Sequence, residues 1–212
     1  MATSSSTRAD ASPEAPEACD ICARPPEVCV CDRIVSFATK RRVLILQHPQ
    51  EKDKVLGSAQ IVAASLPKAE IRVGLSWRNF GHALGSTKEA PSRWAVLFHD
   101  RDVRGTRVTS AKGAVVDPSS LRGLVVLDGT WSQAKSLWWR NPWLLRLNRM
   151  TLHPKEPSIY GKLRAEPSRR HVSTLESVAG ALTLCGENKT IEPGLRRVFR
   201  TLVQRCRDAG LK

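Results

Sequence analysis

No run in this chain approaches the roughly 20 consecutive apolar residues that a membrane-spanning helix needs, so no membrane association is expected. The amino terminus lacks the charged-then-apolar pattern of a secretory signal, which makes the cytoplasm the expected location. No G-x-G-x-x-G follows an apolar strand-like run, which argues against a Rossmann-type methyltransferase. Gly81-His-Ala-Leu-Gly85 has the wrong spacing and no helical pattern after it. No internal repeat is present. Acidic residues are also scarce: 20 Asp and Glu face 34 Lys and Arg, a net charge of +14 over 212 residues. The imbalance is concentrated, with 16 basic and 6 acidic residues from Trp131 onward, a net of +10. Such a field attracts polyanions and makes their binding salt-sensitive, so nucleic acid is the expected partner.

Six cysteines in a cytosolic chain point to metal binding or buried thiols, not to a disulfide framework. Cys19-x2-Cys22 and Cys29-x-Cys31 lie close enough in sequence to surround one tetrahedral Zn²⁺, with Arg24-Pro25-Pro26 turning between the pairs. Four thiolates leave no open coordination position, so the expected role is structural. Cys185 and Cys206 fall on helical patterns and are expected as core or partly exposed thiols. The chain then divides in three. Residues 1–18, rich in Ser, Ala, Pro and Glu, read as a disordered tail, residues 19–32 as the knuckle, and residues 33–212 as an α/β domain.

Val43-Leu-Ile-Leu46, Ile71 to Trp77, Trp94 to Phe98, Gly123 to Leu127 and Arg149 to Leu152 read as strands. Helical patterns cover Lys54 to Leu66, Trp131 to about Asn141 (where Pro142 ends it), Ser173 to Cys185, and Pro193 to Ala209. Arg101 to Gly113 is polar and reads as a loop or short hairpin, and His153 to Pro167 is irregular. Strands separated by helical patterns predict a mostly parallel sheet covered on both faces.

Asp128-Gly129-Thr130-Trp131 joins an apolar strand to a helix. A carboxylate at the carboxyl rim of a strand sits where open α/β sheets place their ligands. Thr130 and Gln133 have capping-box spacing, so Thr130 starts the helix and brings its positive end beside Asp128. Asp128 can serve as a general base, orient a cationic group, or simply cap the helix. Trp131 either offers a flat face to a base or anchors the helix to the sheet. Of Trp138, Trp139 and Trp143, one or two belong to the core and the rest are available to RNA. Gln47 and His48 follow another buried strand, and adjacent strand ends would bring them to Asp128. Ser173 and Thr174 open a later helix, where free backbone N–H groups favour a carboxylate, and Glu176 completes a second capping-box pattern. Arg164, Arg169, Arg170 and His171 precede that helix, and Arg196, Arg197, Arg200 and Arg205 lie on the last one. They are candidates for phosphate contacts, against the alternative of a solvated basic face.

Four ordered blocks together resemble the DTW-domain family. They are Cys19-x2-Cys22-x-Arg24-Pro25-x3-Cys29-x-Cys31, Leu46-Gln47-His48-Pro49-x-Glu51, Asp128-x-Thr130-Trp131 and Ser173-Thr174-Leu175-Glu176. They span roughly residues 19 to 185. The resemblance implies a SPOUT-like α/β fold with a C-terminal trefoil knot, which the periodicity itself does not show. It implies S-adenosylmethionine as donor of a 3-amino-3-carboxypropyl group to N3 of a tRNA uridine, in the variable loop for bacterial members, with release of methylthioadenosine. Carried onto this sequence, Asp128, Thr130 and Trp131 become the expected catalytic residues. Gln47, His48, Leu127, Gly129, Ser173, Thr174 and Glu176 become the expected donor-binding set. A monomer is expected. The chain departs from the family at Phe98-His99-Asp100, where Phe-Pro or Tyr-Pro is usual, so a donor-side loop is expected to differ. Two other functions fit the same residues: a SPOUT-type methyltransferase, and a zinc-knuckle RNA-binding protein without catalysis.

Overall fold

Val43-Leu-Ile-Leu46 and Leu124-Val-Val-Leu127 are apolar without interruption, as strands covered on both faces must be. They form β1 (Arg42–Gln47) and β5 (Gly123–Asp128), parallel neighbours at the middle of the sheet. The computed structural model describes residues 18–22, 24–98, 105–154, 156–161, 163–164 and 172–211. The tail through residue 17, His99, Asp100, and the basic residues Arg169, Arg170 and His171 lie outside the described residues.

Around the central pair lie α1 (Ala59–Ser65), β2 (Ala69–Val73), α2 (Phe80–Leu84), β3 (Trp94–Leu97) and β4 (Arg107–Thr109). After β5 come α3 (Trp131–Arg140), β6 (Asn148–Thr151), α4 (Thr174–Leu184) and α5 (Ile191–Asp208). The described strands make one six-stranded sheet in the order β2-β1-β5-β3-β6-β4. Every neighbouring pair is parallel except β4 with β6. The mostly parallel α/β sheet expected from the sequence is therefore present.

Alternation along each strand splits the core in two. Val43, Ile45, Leu124, Val126 and Met150 face α1, α4 and α5. Leu44, Leu46, Val96 and Val125 face α2 and the segment Trp143–Leu147. Gly123 is needed where it stands, because a Cβ there would lie 2.5 Å from the Trp94 ring that crosses β5. Along α5, Ile191, Leu195, Val198, Phe199, Leu202, Val203 and Cys206 are buried on one side. At about 1.5–3 kcal/mol per large buried apolar side chain, docking and not propensity holds this helix. Among the described residues no helix is long and apolar enough to cross a membrane.

Several boundaries differ from the sequence reading. The helix expected from Lys54 begins only at Ala59. Its first turn is prevented because the carbonyls of Val55 and Gly57 accept from Arg24 and that of Leu56 from the Tyr160 hydroxyl. Those carbonyls are thus held by side chains instead of by amides of a following helical turn. The second strand stops at Val73, four residues before Trp77, since Gly74 donates to the Gln47 carbonyl and Trp77 to the Asn141 side chain. Gly81–Leu84, set aside above for its glycine spacing, lies in α2, which Asn79 caps and Gly85 ends at φ +68°. Of the polar stretch before Gly113, β4 pairs antiparallel with β6 and bridges back to Val115, the hairpin alternative.

Candidate active site

β1 and β5 run in register so that Gln47 lies opposite Asp128 at their carboxyl ends. The two side chains therefore emerge together on one face of the sheet. The Gln47 amide donates to Asp128 Oδ2 at 2.8 Å, and the Thr174 hydroxyl donates to Asp128 Oδ1. Both oxygens of the carboxylate are thus held, one from the neighbouring strand and one from the start of α4. Asp128 is 7 % exposed, and what it exposes lines a cavity of about 810 Å³.

The capping alternative for Asp128 is excluded. Thr130 is the N-cap of α3, with the Gln133 amide N–H donating to its hydroxyl and the Gln133 side chain accepting from its backbone N–H. Gln133 also donates to the Gln50 side chain at 3.1 Å, which ties α3 to the loop after β1. Gly129 permits this closeness: a Cβ there would lie 2.8 Å from Gln133 Cβ and 3.5 Å from His48 Cβ. Gln47 and His48 do not line the cavity themselves. Gln47 donates to Asp128, and the His48 ring accepts from the Gln50 N–H to cap the turn at Pro49–Glu51. Both were expected in the donor-binding set, and the β1–β5 register sets Gln47 beside Asp128, which does line the cavity. Leu127 and Gly129 do line the cavity.

The cavity opens at the carboxyl ends of β3, β5 and β6, between α3 and the start of α4. Leu97, Phe98, Met150 and Leu152 contribute apolar wall. Phe98 packs on Trp138 with ring centroids 4.8 Å apart, and the Arg149 guanidinium lies over both rings. Trp131 is 43 % exposed at the cavity and is not buried in the core. Trp143 is core, Trp138 is half-buried, and Trp139 is exposed.

At the start of α4, Ser173 and Thr174 line the cavity. The amides of Leu175 and Glu176 already donate to the hydroxyls of Ser58 and Ser173. Glu176 is buried and accepts from Ser158, from the Ile159 amide, from both donors of Ser173 and from Arg196. It thus completes the capping box of α4 and anchors the Ser158–Ile159 turn. Ser58 and Tyr160, both lining the cavity, carry no sequence signal. Each is brought there by contacts more than 100 residues apart in sequence.

The four knuckle sulfurs lie within 4.8 Å of one another. A tetrahedral site with metal–sulfur bonds of about 2.3 Å has edges of about 3.8 Å. The Cys19–Cys31 and Cys22–Cys29 separations of 3.3 and 3.6 Å are close to that figure, so the cluster is compatible with a metal site. The backbone N–H groups of Cys22 and Ile21, with the neighbouring thiols, draw Cys19 down to about 6, while burial and the other thiols push Cys31 far up. Four such thiols cannot all ionise together without a cation among them. By contrast, burial raises Cys185 to about 11 and also raises Cys206, as expected for core thiols.

The DTW domain profile matches residues 16–207. The chain belongs to the DTW-domain family. It is 29 % identical over 189 residues to tRNA-uridine aminocarboxypropyltransferase 2 of Macaca fascicularis, covering 87 % of this chain. The mouse protein of that name is 29 % identical over 191 residues, and the Drosophila melanogaster one 30 % over 199 residues. The chain spans 61 % of the length of the macaque and mouse relatives and 76 % of the fly relative. No solved structure matches.

Within this DTW domain three of the four motif blocks converge on one residue. The second, third and fourth meet at Asp128, while the first is fastened behind the cavity by its arginine. Arg24 is buried and donates to the carbonyls of Cys22, Val55 and Gly57, and Gly57 lines the cavity. Of the arginines expected as phosphate contacts, Arg205 donates to both oxygens of Asp32 and to the Cys29 carbonyl. Arg196 lies within 4 Å of the carboxylates of Glu156, Glu176 and Glu192. Arg164 lines the cavity and pairs with the buried Glu51 at 3.5 Å. Arg197 and Arg200 are exposed on α5.

Proposed function

We propose that this chain is a tRNA-uridine aminocarboxypropyltransferase. It moves the 3-amino-3-carboxypropyl group of S-adenosylmethionine to N3 of a tRNA uridine, with the variable-loop uridine as the target. The observation that carries this reading is Asp128, oriented by donors on both oxygens at the wall of a large, mostly apolar cavity. The names of the relatives supply the reaction class.

In the reaction a bond forms between uracil N3 and the carbon attached to the sulfonium. The carbon–sulfur bond breaks, its electron pair stays on sulfur, and methylthioadenosine leaves. The N3 proton must go elsewhere, and Asp128 accepts it. Each carboxylate oxygen has a second lone-pair site beyond the one engaged by Gln47 or Thr174, so the held group still has an acceptor for the imide N–H. Gln47 and Thr174 fix the plane of the carboxylate, and apolar Leu97, Met150 and Leu152 exclude water. Trp131 supplies a stacking face for adenine or for the splayed uracil, an interaction of about 1–3 kcal/mol per base. Zinc held by Cys19, Cys22, Cys29 and Cys31 has a structural role in this reading. The SPOUT-like relation and a knotted carboxyl end belong to it too, supported by a ligand cavity at the ends of parallel strands with α4 and α5 packed beneath it.

Mass spectrometry of nucleosides from unmodified tRNA, incubated with the protein and S-adenosylmethionine, tests the proposal. An aminocarboxypropyl mass on uridine that disappears with Asp128→Asn supports it. A methyl mass makes the protein a methyltransferase, and tRNA binding without any added mass makes it a binding protein.

A further inference from the structure

Three residues on α3 line the mouth of the cavity at helical spacing: Trp131, Lys135 and Trp139. They follow at i, i+4 and i+8, so they share one flank of the helix, each step about 6 Å along the axis. All are exposed, and Trp139 most, at 71 %. The contrast with the adjacent indoles is sharp. Trp138 packs on Phe98 under Arg149, and Trp143 is buried against Phe80. An indole as open to water as Trp139, on the rim of a site and beside others that the core absorbs, adds little to the stability of the fold.

The backbone positions of Trp131 and Trp139 lie about 12 Å apart along the helix axis, about two turns, with Lys135 midway between them. The two indoles therefore stand at separate points of the rim, and each can meet a group of its own. The cation between them is Lys135, and the chain as a whole carries a charge of +14. Aromatic faces alternating with a cation match a single-stranded nucleic acid, in which bases alternate with phosphates. Resting on the transfer reading above, we propose that Trp139 and Lys135 form a docking platform for the nucleotide flanking the target uridine. Trp139 stacks on the neighbouring base, and Lys135 meets the phosphate between it and the target. The platform keeps the target's neighbour unstacked from it, so that the target base can enter the cavity.

The test uses the full chain with a short single-stranded oligouridine and, separately, unmodified tRNA, followed by fluorescence anisotropy. Trp139→Ala is expected to weaken oligouridine binding roughly five- to hundredfold, and Trp139→Phe to restore most of it. Lys135→Ala is expected to lower the slope of log affinity against log salt by about 0.7. With tRNA as substrate, Trp139→Ala raises KM and leaves kcat largely unchanged. Unaltered binding by Trp139→Ala, equal loss in Trp139→Phe, or no oligouridine binding by the unsubstituted protein overturns the proposal. So does a Trp139→Ala variant that converts a sedimenting dimer to a monomer, since a second copy would then cover this face. RNA binding that depends on Trp139 without any aminocarboxypropyl product removes the transfer reading and leaves the platform. Product formation with an unchanged KM in Trp139→Ala does the reverse.

Discussion

Thr174, the first residue of α4, donates its hydroxyl to Asp128, the last residue of β5, 46 positions earlier in the chain. The bond joins the two motif blocks that the family signature keeps far apart in sequence. It also explains why α4 must begin where it does. Ser173 caps the helix with Glu176, and that register leaves the Thr174 side chain pointing at the strand end.

Thr174→Val keeps the shape and removes the donor. One carboxylate oxygen then loses its partner while Gln47 still holds the other. A hydrogen bond to a charged group contributes about 1.5–3 kcal/mol. Turnover of tRNA is expected to fall by roughly tenfold to hundredfold, with donor binding by calorimetry much less affected. A variant with full turnover would remove Thr174 from the positioning of Asp128.

Gln47→Glu places a second carboxylate where the amide now meets Asp128 at 2.8 Å. Two carboxylates that close share one proton, so one of the pair titrates well above the usual carboxylate range. The folded variant then binds more protons than its unfolded chain. Its stability relative to the parent is therefore fullest in acid and declines as pH rises through the raised value. Thermal melts of both proteins across pH 4 to 8 check the sign (about the ordinary carboxylate value and above). A pH-independent difference would mean that the two side chains do not interact.

Glu176→Ala separates the cap from the donor site. It leaves Arg196 and the Ser158–Ile159 turn without their buried acceptor, and removing one partner of a buried pair costs about 3–5 kcal/mol. A large loss in melting temperature is expected. At a temperature where the variant stays folded, its KM for S-adenosylmethionine is expected to match the parent. Glu176→Gln, which retains the cap geometry, should recover much of the stability.

How far the sequence reaches depends on how local the cause is. The two capping boxes, at Thr130 and Ser173, are where their spacing puts them, because each involves only residues three apart. Strands β1 and β5 are legible as unbroken apolar runs for the same reason. The start of α1 is not, since Arg24 and Tyr160, distant in the chain, take the carbonyls of Val55, Leu56 and Gly57. Asp128 is legible as a strand-end carboxylate, but Gln47 behind it needs the β1–β5 register. Basic residues are the least legible: Arg196, Arg197, Arg200 and Arg205 look alike on one helix, and only tertiary packing divides them.

The knuckle makes a chemical prediction. Mass spectrometry under native conditions is expected to find one Zn²⁺ per chain, absent from Cys22→Ser. Arg24 donates both to the Cys22 carbonyl and to the loop that ends at the cavity wall. Chelation should therefore lower the affinity for S-adenosylmethionine as well as the melting temperature, although no knuckle cysteine touches the cavity. A chelated protein that still binds the donor normally would confine the metal's role to the knuckle itself.

The division of the α5 arginines gives the last test. Arg197 and Arg200 are exposed, and Gln204 and Arg207 continue the same flank at offsets of seven and ten from Arg197. Arg196 faces carboxylates instead, and Arg205 clips the knuckle. If the exposed pair meets phosphate, Arg197→Glu and Arg200→Glu weaken tRNA binding without changing which uridine is modified. Removing one such phosphate interaction flattens the salt dependence by about one unit of slope. Arg196→Gln is expected to do something different: lower stability through Glu176, with the salt slope of the folded protein unchanged. A slope that falls equally in Arg196→Gln would show that its ion pairs open to RNA. Unchanged slopes in both charge reversals would make this flank of α5 a solvated basic face and move the tRNA to the α3 side of the cavity.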